Sequence, residues 1–112
     1  MAAYPDYADS FAKFNITWET VKVKTDDGYT LTMFHLTGDQ DGPYEITKPA
    51  VVLQHGMGGQ GLNYTYTLNT NSDPPFAYQL AKMGFDIWLT NNRGTTYSQV
   101  HDKYTIADPE FW

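Results

Sequence analysis

The 112-residue sequence contains no cysteine. This absence excludes disulfide bonds, thiolate metal sites and a cysteine nucleophile. It leaves the redox compartment open, because a secreted chain can also lack disulfide bonds. Seven residues are lysine or arginine, thirteen are acidic, and the formal net charge is −6. A negative surface without a basic cluster repels phosphate backbones, so we expect no nucleic-acid partner.

Long apolar runs are also absent from the sequence. No run reaches the roughly 18 residues that span a bilayer, so we expect no transmembrane segment. The first residues lack a basic stretch followed by an apolar one, so we expect no signal peptide in this sequence. Its three histidines are too widely spaced for a metal site, and residues 56–59 (Gly-Met-Gly-Gly) lack the Lys-Ser/Thr of a phosphate-binding loop. We therefore expect neither a metal nor another cofactor.

The composition is that of a chain that builds a core. Hydrophobic residues make up 41% of the sequence and aromatic residues 16%, which is sufficient for one small folded domain. Residues 1–17 show little periodicity, and we expect them to form an N-terminal arm or a short irregular segment. Residues 18–112 carry the periodic segments and are expected to form the domain itself.

The first half of that domain predicts a β-hairpin. Residues 18–24 alternate apolar and polar side chains, as a half-buried strand does. The segment Asp26-Asp27-Gly28 supplies a turn in which glycine can adopt a positive φ. Residues 29–36 then form a second run rich in β-branched and aromatic residues, and the two runs are expected to pair antiparallel.

The second half predicts a βαβ unit. Residues 49–54 are continuously apolar, which is typical of a strand covered on both faces in a parallel sheet. A helix is expected between Asp73 as N-cap and Gly84 at its end, with an apolar stripe of Phe76, Ala77, Leu80 and Ala81. A strand over residues 85–89 follows. The predicted fold class is α/β: a hairpin followed by a βαβ unit of a mostly parallel sheet.

The segment 53–59 (Leu-Gln-His-Gly-Met-Gly-Gly) is the first candidate for chemistry. It follows a predicted buried strand, and ligand sites of open α/β sheets lie at the carboxyl ends of their strands. Glycines there let backbone N–H groups point into a cavity, as the stabilisation of an oxyanion requires. An ordinary strand–helix loop with glycines for tight turning explains the spacing equally well.

Four blocks of the sequence resemble the acid lipase family, which contains the gastric and lysosomal acid lipases. They are the turn at 25–29, the strand and Gln-His-Gly at 51–56, the segment 84–98 (Gly-Phe-Asp-Ile-Trp-Leu-Thr-Asn-Asn-Arg-Gly-Thr-Thr-Tyr-Ser), and the closing Asp-Pro-Glu-Phe-Trp at 108–112. The resemblance implies an α/β-hydrolase fold acting on triacylglycerols, cholesteryl esters or similar carboxylic esters.

The resemblance also implies roles for three residues of the Gln-His-Gly loop. Met57 stands where the family places a backbone N–H of the oxyanion hole, after Gly56. His55 resembles the family's loop-positioning histidine, which orients backbone and does not act as a base. From the residues themselves, Arg93 is expected to fix the loop after its strand by bonding carbonyl groups or a carboxylate. The sequence departs from the family at residues 58–61, and at Thr90 and Thr95 where Gly and Asn are usual.

The sequence contains no Gly-x-Ser-x-Gly elbow, in which the family carries its nucleophile. Ser98 stands three residues before His101, which makes a local dyad a weak catalytic candidate. We therefore expect the N-terminal fragment of a lipase, inactive alone, that supplies sheet core and oxyanion loop. Two alternatives stay open. One is a truncated structural subunit whose open sheet edge is covered by a protein partner, and the other is a miniature esterase completed by dimerisation.

Two Asn-x-Thr triplets bear on localisation. They begin at Asn15 and Asn63 and match the acceptor sequence for N-glycosylation. Such triplets are common by chance, but together with the family resemblance they favour a secreted or lysosomal location.

Overall fold

The computed structural model describes residues 5–65 and 74–112. In this part of the chain there are two α-helices, α1 (Pro5–Ala12) and α2 (Phe76–Lys82), and two short 3₁₀ helices at Gly61–Thr65 and Pro109–Phe111. The strands are β1 (Thr17–Lys24), β2 (Tyr29–Asp39), β3 (Gly42–Pro43), β4 (Ala50–Leu53), β5 (Asp86–Leu89) and β6 (Val100–His101).

The strands form one sheet in the order β1-β2-β5-β4, and the short β3 and β6 both pair with β2. β2 pairs antiparallel with β1, β3, β5 and β6, whereas β4 and β5 pair parallel. The fold is thus α/β, but the prediction of a mostly parallel sheet is wrong for the described residues. The sheet is mostly antiparallel because β2 is long, and its eleven residues pair with four other strands.

The turn between β1 and β2 follows the predicted chemistry. Gly28 has φ +96°, which confirms the predicted positive φ. The Thr25 hydroxyl donates to the Asp27 carboxylate at 2.6 Å and accepts the Tyr29 N–H at 3.0 Å. The turn is therefore rigidly held, and it presents Asp27 at one end of the sheet.

Helix α1 occupies residues that the sequence analysis expected to be irregular. Tyr7 and Phe11, spaced by one helical turn, are fully buried. The Tyr7 ring lies 3.8 Å from that of Phe34 on β2, and the Phe11 ring lies 4.9 Å from that of Trp18. An eight-residue helix is marginal by itself, so this packing stabilises it. The division of the chain at residue 17 stays a prediction.

Helix α2 is shorter than expected. Its predicted N-cap, Asp73, lies outside the described residues. The helix ends at Lys82, and Gly84 follows the C-cap Met83 with φ +102°, as a closing glycine does. Ala77, Tyr78 and Ala81 face the core. Phe76 does not belong to the apolar stripe, because it is 56% exposed. The buried face is therefore rotated towards Tyr78.

Strand β4 is not covered on both faces, which corrects the prediction for residues 49–54. It lies at the edge of the sheet, and Val52 is 56% exposed. Leu53 alone among its residues is buried. The apolar side chains of β4 therefore include one face that no described residue covers.

A charged group lies on the same face of the sheet as Val52. His35 on β2 contacts Glu19 on β1 through Nδ1 at 2.7 Å and Asp86 on β5 through Nε2 at 2.5 Å. Its ring stacks on Trp88 at 4.0 Å, and Trp88 Nε1 donates to Asp86 at 3.0 Å. Partial burial acts to lower the pKa of His35, but the bonds to both carboxylates outweigh burial and raise it above 6.5.

This arrangement predicts a pH-dependent stability. Protonated His35 donates to both carboxylates, whereas the neutral ring can donate to one and faces the other with a lone pair. Because the folded-state pKa is raised, the stabilisation is complete below pH 6.5 and is lost as the pH rises through the folded value. The free energy of unfolding of the wild type, measured with denaturant, should therefore fall by on the order of 1 kcal/mol across that range. His35→Gln should remove this pH dependence, and an unchanged dependence in the variant would refute the assignment to His35.

Candidate functional site

His55 lies directly after β4, at the carboxyl ends of the two parallel strands, and is 7% exposed. Its Nε2 accepts the backbone N–H of Asn92, from the loop after β5, at 3.0 Å. Its Nδ1 lies 2.8 Å from the carbonyl oxygen of Gly56. A carbonyl can only accept, so the hydrogen bonds select the neutral tautomer with its proton on Nδ1. His55 thus joins the two loops that follow β4 and β5.

The peptide group between Gly56 and Met57 is held through its carbonyl. The Gly56 oxygen accepts both the His55 Nδ1–H and the Gly59 N–H, the latter at 3.0 Å. The described chain has no cis peptide bond, and a trans peptide directs its N–H opposite to its C=O. The Met57 N–H is therefore directed away from the His55 ring. No group within residues 5–65 and 74–112 accepts it.

A cavity of about 500 Å³ lies beside this peptide. Its walls are the loops after β4 and β5 together with one aromatic side chain. They comprise His55, Gly56, Met57, Gly58, Gly59, Gln60, Asn92, Arg93, Gly94, Thr95, Thr96, Gln99 and Trp112. The Met57 side chain is fully exposed, and Trp112 is 72% exposed. The residues predicted from the Gln-His-Gly loop and Arg93 thus line one cavity.

Arg93 is anchored to the hairpin turn. Its guanidinium bonds the Asp27 carboxylate through Nη1 at 2.7 Å, and it lies 4.0 Å from the centre of the Tyr29 ring. The hydrogen bond from Arg93 is the main reason that the pKa of Asp27 is lowered to about 2. The ion pair is therefore formed across the whole neutral and mildly acidic range. A carboxylate is one of the two kinds of partner expected for Arg93, and its role in fixing the loop stays a prediction.

Asn91 is a buried residue of this region that the sequence analysis treated only as part of a turn. It is 2% exposed. Its Oδ1 accepts the Gly61 N–H at 3.0 Å and the Tyr7 hydroxyl at 3.2 Å, and its Nδ2 donates to the Thr32 carbonyl at 3.0 Å. A polar residue two positions after the end of β5 was the available signal. Its partners are 30 to 84 residues away, so the sequence could not identify them.

The weak catalytic candidates Ser98 and His101 occupy structural positions. Ser98 is 1% exposed, and its hydroxyl donates to the Asn91 carbonyl at 2.7 Å and accepts the Thr32 N–H at 3.0 Å. His101 Nε2 donates to the Asp27 carbonyl at 2.8 Å, and Nδ1 accepts the Lys103 N–H at 3.0 Å. Neither residue lines the cavity beside Met57. The hydrogen-bonding capacity of both is used by the backbone, which disfavours a dyad.

Two features are absent from the described residues, 5–65 and 74–112. No helix there is both long and apolar enough to cross a membrane. No group of three or more His, Cys, Asp or Glu side chains in the same residues could hold a metal ion.

The sequence of this chain is similar to those of known lipases. Residues 7–68 match a family model described as the partial alpha/beta-hydrolase lipase region. The chain is 43% identical over 95 residues to a Crotalus adamanteus protein assigned as a lysosomal acid lipase/cholesteryl ester hydrolase, and 39% identical over 95 residues to bovine gastric triacylglycerol lipase. It is 35% identical to human lysosomal acid lipase/cholesteryl ester hydrolase over the same length. Each match covers 84% of this chain and 23% of the relative, so the chain spans about a quarter of each relative's length.

The buried position of Asn91 generates a stability prediction. Asn91→Ala leaves the Thr32 carbonyl and the Gly61 N–H without their partner, and we expect a loss of about 3 to 5 kcal/mol in the free energy of unfolding. Asn92→Ala is the matched control, because its side chain is exposed and its backbone N–H is retained. That variant should differ from wild type by less than about 0.5 kcal/mol. Chemical denaturation measures both, and equal effects of the two variants would contradict the role of Asn91.

Proposed function

This chain belongs to the α/β-hydrolase lipase family, and we propose that it forms the N-terminal portion of a lipase that hydrolyses carboxylic esters of lipids. The relatives named above are lipases of triacylglycerols and cholesteryl esters, which supports a lipid ester as substrate. On this proposal the hairpin and the β4–α2–β5 unit supply the first strands of the hydrolase sheet. The nucleophile and its partners belong to a part of the protein outside these 112 residues.

The proposed contribution of this chain to catalysis is one backbone donor, the Met57 N–H. The observation that carries it is the anchoring of the Gly56–Met57 peptide, whose carbonyl accepts both the His55 ring and the Gly59 N–H. A donor fixed before the reaction costs no reorganisation when negative charge develops on the ester oxygen. The cavity beside the peptide supplies the space for the ester group.

The chain's other residues act in this proposal by positioning. During attack on the ester, the carbonyl carbon becomes tetrahedral and its oxygen becomes an oxyanion, to which Met57 N–H donates. His55 holds the donor's peptide and couples it to Asn92. Arg93, the residue after Asn92 in that loop, bonds to Asp27 in the hairpin turn. No side chain in this set transfers a proton or forms a bond to the substrate.

An alternative proposal, a structural subunit with a protein partner, finds support in β4. This strand lies at the edge of the sheet with Val52 exposed, and such an edge can pair with another chain. The intact mass of the native protein separates the two proposals. A mass that requires a longer chain, with a Gly-x-Ser-x-Gly segment in the sequence of its transcript, supports the lipase. A mass equal to that of these 112 residues supports the subunit.

The absence of a nucleophile elbow generates a prediction for the isolated chain. The purified 112-residue chain should hydrolyse a short-chain p-nitrophenyl ester no faster than buffer does, because it supplies a donor and no nucleophile. Ser98→Ala should behave identically. Activity that is present in the isolated chain and lost in Ser98→Ala would instead establish the miniature esterase.

The backbone donor generates a second prediction, for the full-length protein that carries this chain. Met57→Pro removes the N–H and should lower kcat by about 10² to 10³-fold with little change in KM, as removal of an oxyanion donor does. Met57→Leu keeps the N–H and is the matched control, with kcat expected to be retained. Thermal unfolding should show that both variants are folded. Equal activity of the proline and leucine variants would refute the assignment of the donor.

A further inference from the structure

We propose that Asn15 is an N-glycan acceptor of this protein and that Asn63 is not, when the chain is made on the secretory route. This inference goes beyond the proposed function. Both residues begin an Asn-x-Thr triplet, so the sequence alone gives them equal standing. The structure distinguishes them by the exposure and the hydrogen bonding of each triplet.

Asn15 ends helix α1 in a conformation that presents it to solvent. The Ile16 N–H donates to the Phe11 carbonyl at 3.0 Å and the Asn15 N–H donates to the Ala12 carbonyl at 3.2 Å, which is the Schellman pattern at a helix end. Asn15 itself has φ +54°, the left-handed conformation that this position requires. Ile16 is 8% exposed and anchors the turn in the core, while Asn15 is exposed.

The acceptor groups of this first triplet are accessible. The Asn15 amide makes one long hydrogen bond, from Nδ2 to Gln40 Oε1 at 3.4 Å, which is exposed to water. Thr17 is exposed, and its hydroxyl accepts from the half-buried Thr37 hydroxyl at 3.0 Å. Neither contact is buried, so both side chains can exchange these bonds for those of an enzyme site.

The second triplet, residues 63–65, is engaged in the fold. It lies in the 3₁₀ helix Gly61–Thr65. Thr65 is 2% exposed, and its hydroxyl donates to the Leu62 carbonyl at 2.7 Å and accepts from Ser10 at 2.7 Å. The folded chain therefore does not present this hydroxyl to a transferase, which disfavours Asn63 as an acceptor.

A glycan on Asn15 is compatible with the candidate site. Thr17 pairs with Gly38 at the far end of β2. Leu89, at the carboxyl end of β5, pairs with Phe34 in the middle of β2, and β5 runs there in the direction of the start of β2. The start of β1 therefore lies at the opposite end of the sheet from His55 and Met57. A sugar there stands at the rim of a groove lined by Phe14, Gln40 and Tyr78, and leaves the cavity beside Met57 open.

The transfer step requires a lipid-pyrophosphate-linked oligosaccharide as co-reactant. The Asn15 Nδ2 attacks the anomeric carbon of the first sugar and forms the N-glycosidic bond. The bond from that carbon to the phosphate oxygen breaks, and the lipid pyrophosphate leaves with the electron pair. One amide proton passes to a base of the transferase. The step involves no oxidation or reduction.

The test is expression of the protein with a cleavable secretion leader in a eukaryotic host. Electrophoretic mobility before and after peptide N-glycosidase F, followed by peptide mass spectrometry, reports occupancy, because the enzyme converts a glycosylated asparagine into aspartate. The variants are Asn15→Gly, which keeps the left-handed helix end, Thr17→Ala, Thr17→Ser and Asn63→Gln. Asn15→Gly separates loss of the acceptor from misfolding, since glycine suits this position.

The expected result is a glycosidase-sensitive mobility step in wild type, Thr17→Ser and Asn63→Gln, with aspartate found at position 15 after treatment. The step should shrink by one glycan in Asn15→Gly and in Thr17→Ala, because other parts of the full-length protein can carry glycans of their own. A wild-type protein whose residue 15 remains asparagine after treatment, or a step of unchanged size in Asn15→Gly, would overturn the proposal. Loss of a step in Asn63→Gln would do the same, because it would show that the second triplet is occupied.

Discussion

The buried amide of Asn91 is the interaction on which the rest of this structure depends. Its side chain bonds α1 through Tyr7, β2 through Thr32 and the 3₁₀ helix through Gly61. Each of these three segments brings to Asn91 a polar group that is paired inside the core. One side chain with two acceptor lone pairs and two donor hydrogens satisfies all three. Apolar packing around it can therefore be dense without an unpaired polar atom.

Because Asn91 is held in the core, three consecutive residues of the loop after β5 contact three different parts of the chain. Asn91 binds the core, the Asn92 N–H binds His55, and Arg93 binds Asp27 in the hairpin turn. The position of the His55 ring is thereby set from the loop after β5, while the ring in turn holds the Gly56 carbonyl. The candidate donor at Met57 is thus oriented by contacts that originate in separate parts of the chain. Local loop sequence alone does not orient it.

Whether a feature of the fold could be predicted depends on how far apart in the sequence its interacting residues lie. The turn at Gly28 and the helix end at Gly84 were predictable, because a positive φ is a local requirement. Helix α1 was not, since its stability comes from the aromatic contacts of Tyr7 and Phe11 with residues far along the chain. The role of Asn91 was not predictable for the same reason. The sheet was predicted to be mostly parallel, because no pattern in the sequence indicates that β2 pairs antiparallel with four strands.

The candidate site divides between residues that were recognisable and contacts that were not. The Gln-His-Gly loop could be singled out by resemblance to a family, and Arg93 by its place in the loop after a predicted strand. Their partners, Asn92 and Asp27, are 37 and 66 residues away, and pairing at that distance is decided by the sheet. The same holds for Ser98 and His101, whose closeness in sequence suggested chemistry. In the structure both are engaged by backbone groups.

Two of the departures from the family pattern, Thr90 and Thr95, can be understood from their bonds. The Thr90 hydroxyl donates to the Leu53 carbonyl at 3.3 Å and to Gln54 at 2.9 Å, so it joins the ends of β4 and β5. The Thr95 hydroxyl donates to the Asn92 carbonyl at 2.7 Å, within the loop that supports His55. Each added hydroxyl has a backbone acceptor, and each acceptor lies on a segment that positions the Gly56–Met57 peptide. Because the proposed donor is a main-chain N–H, such side-chain changes alter how firmly it is held and leave its chemistry the same.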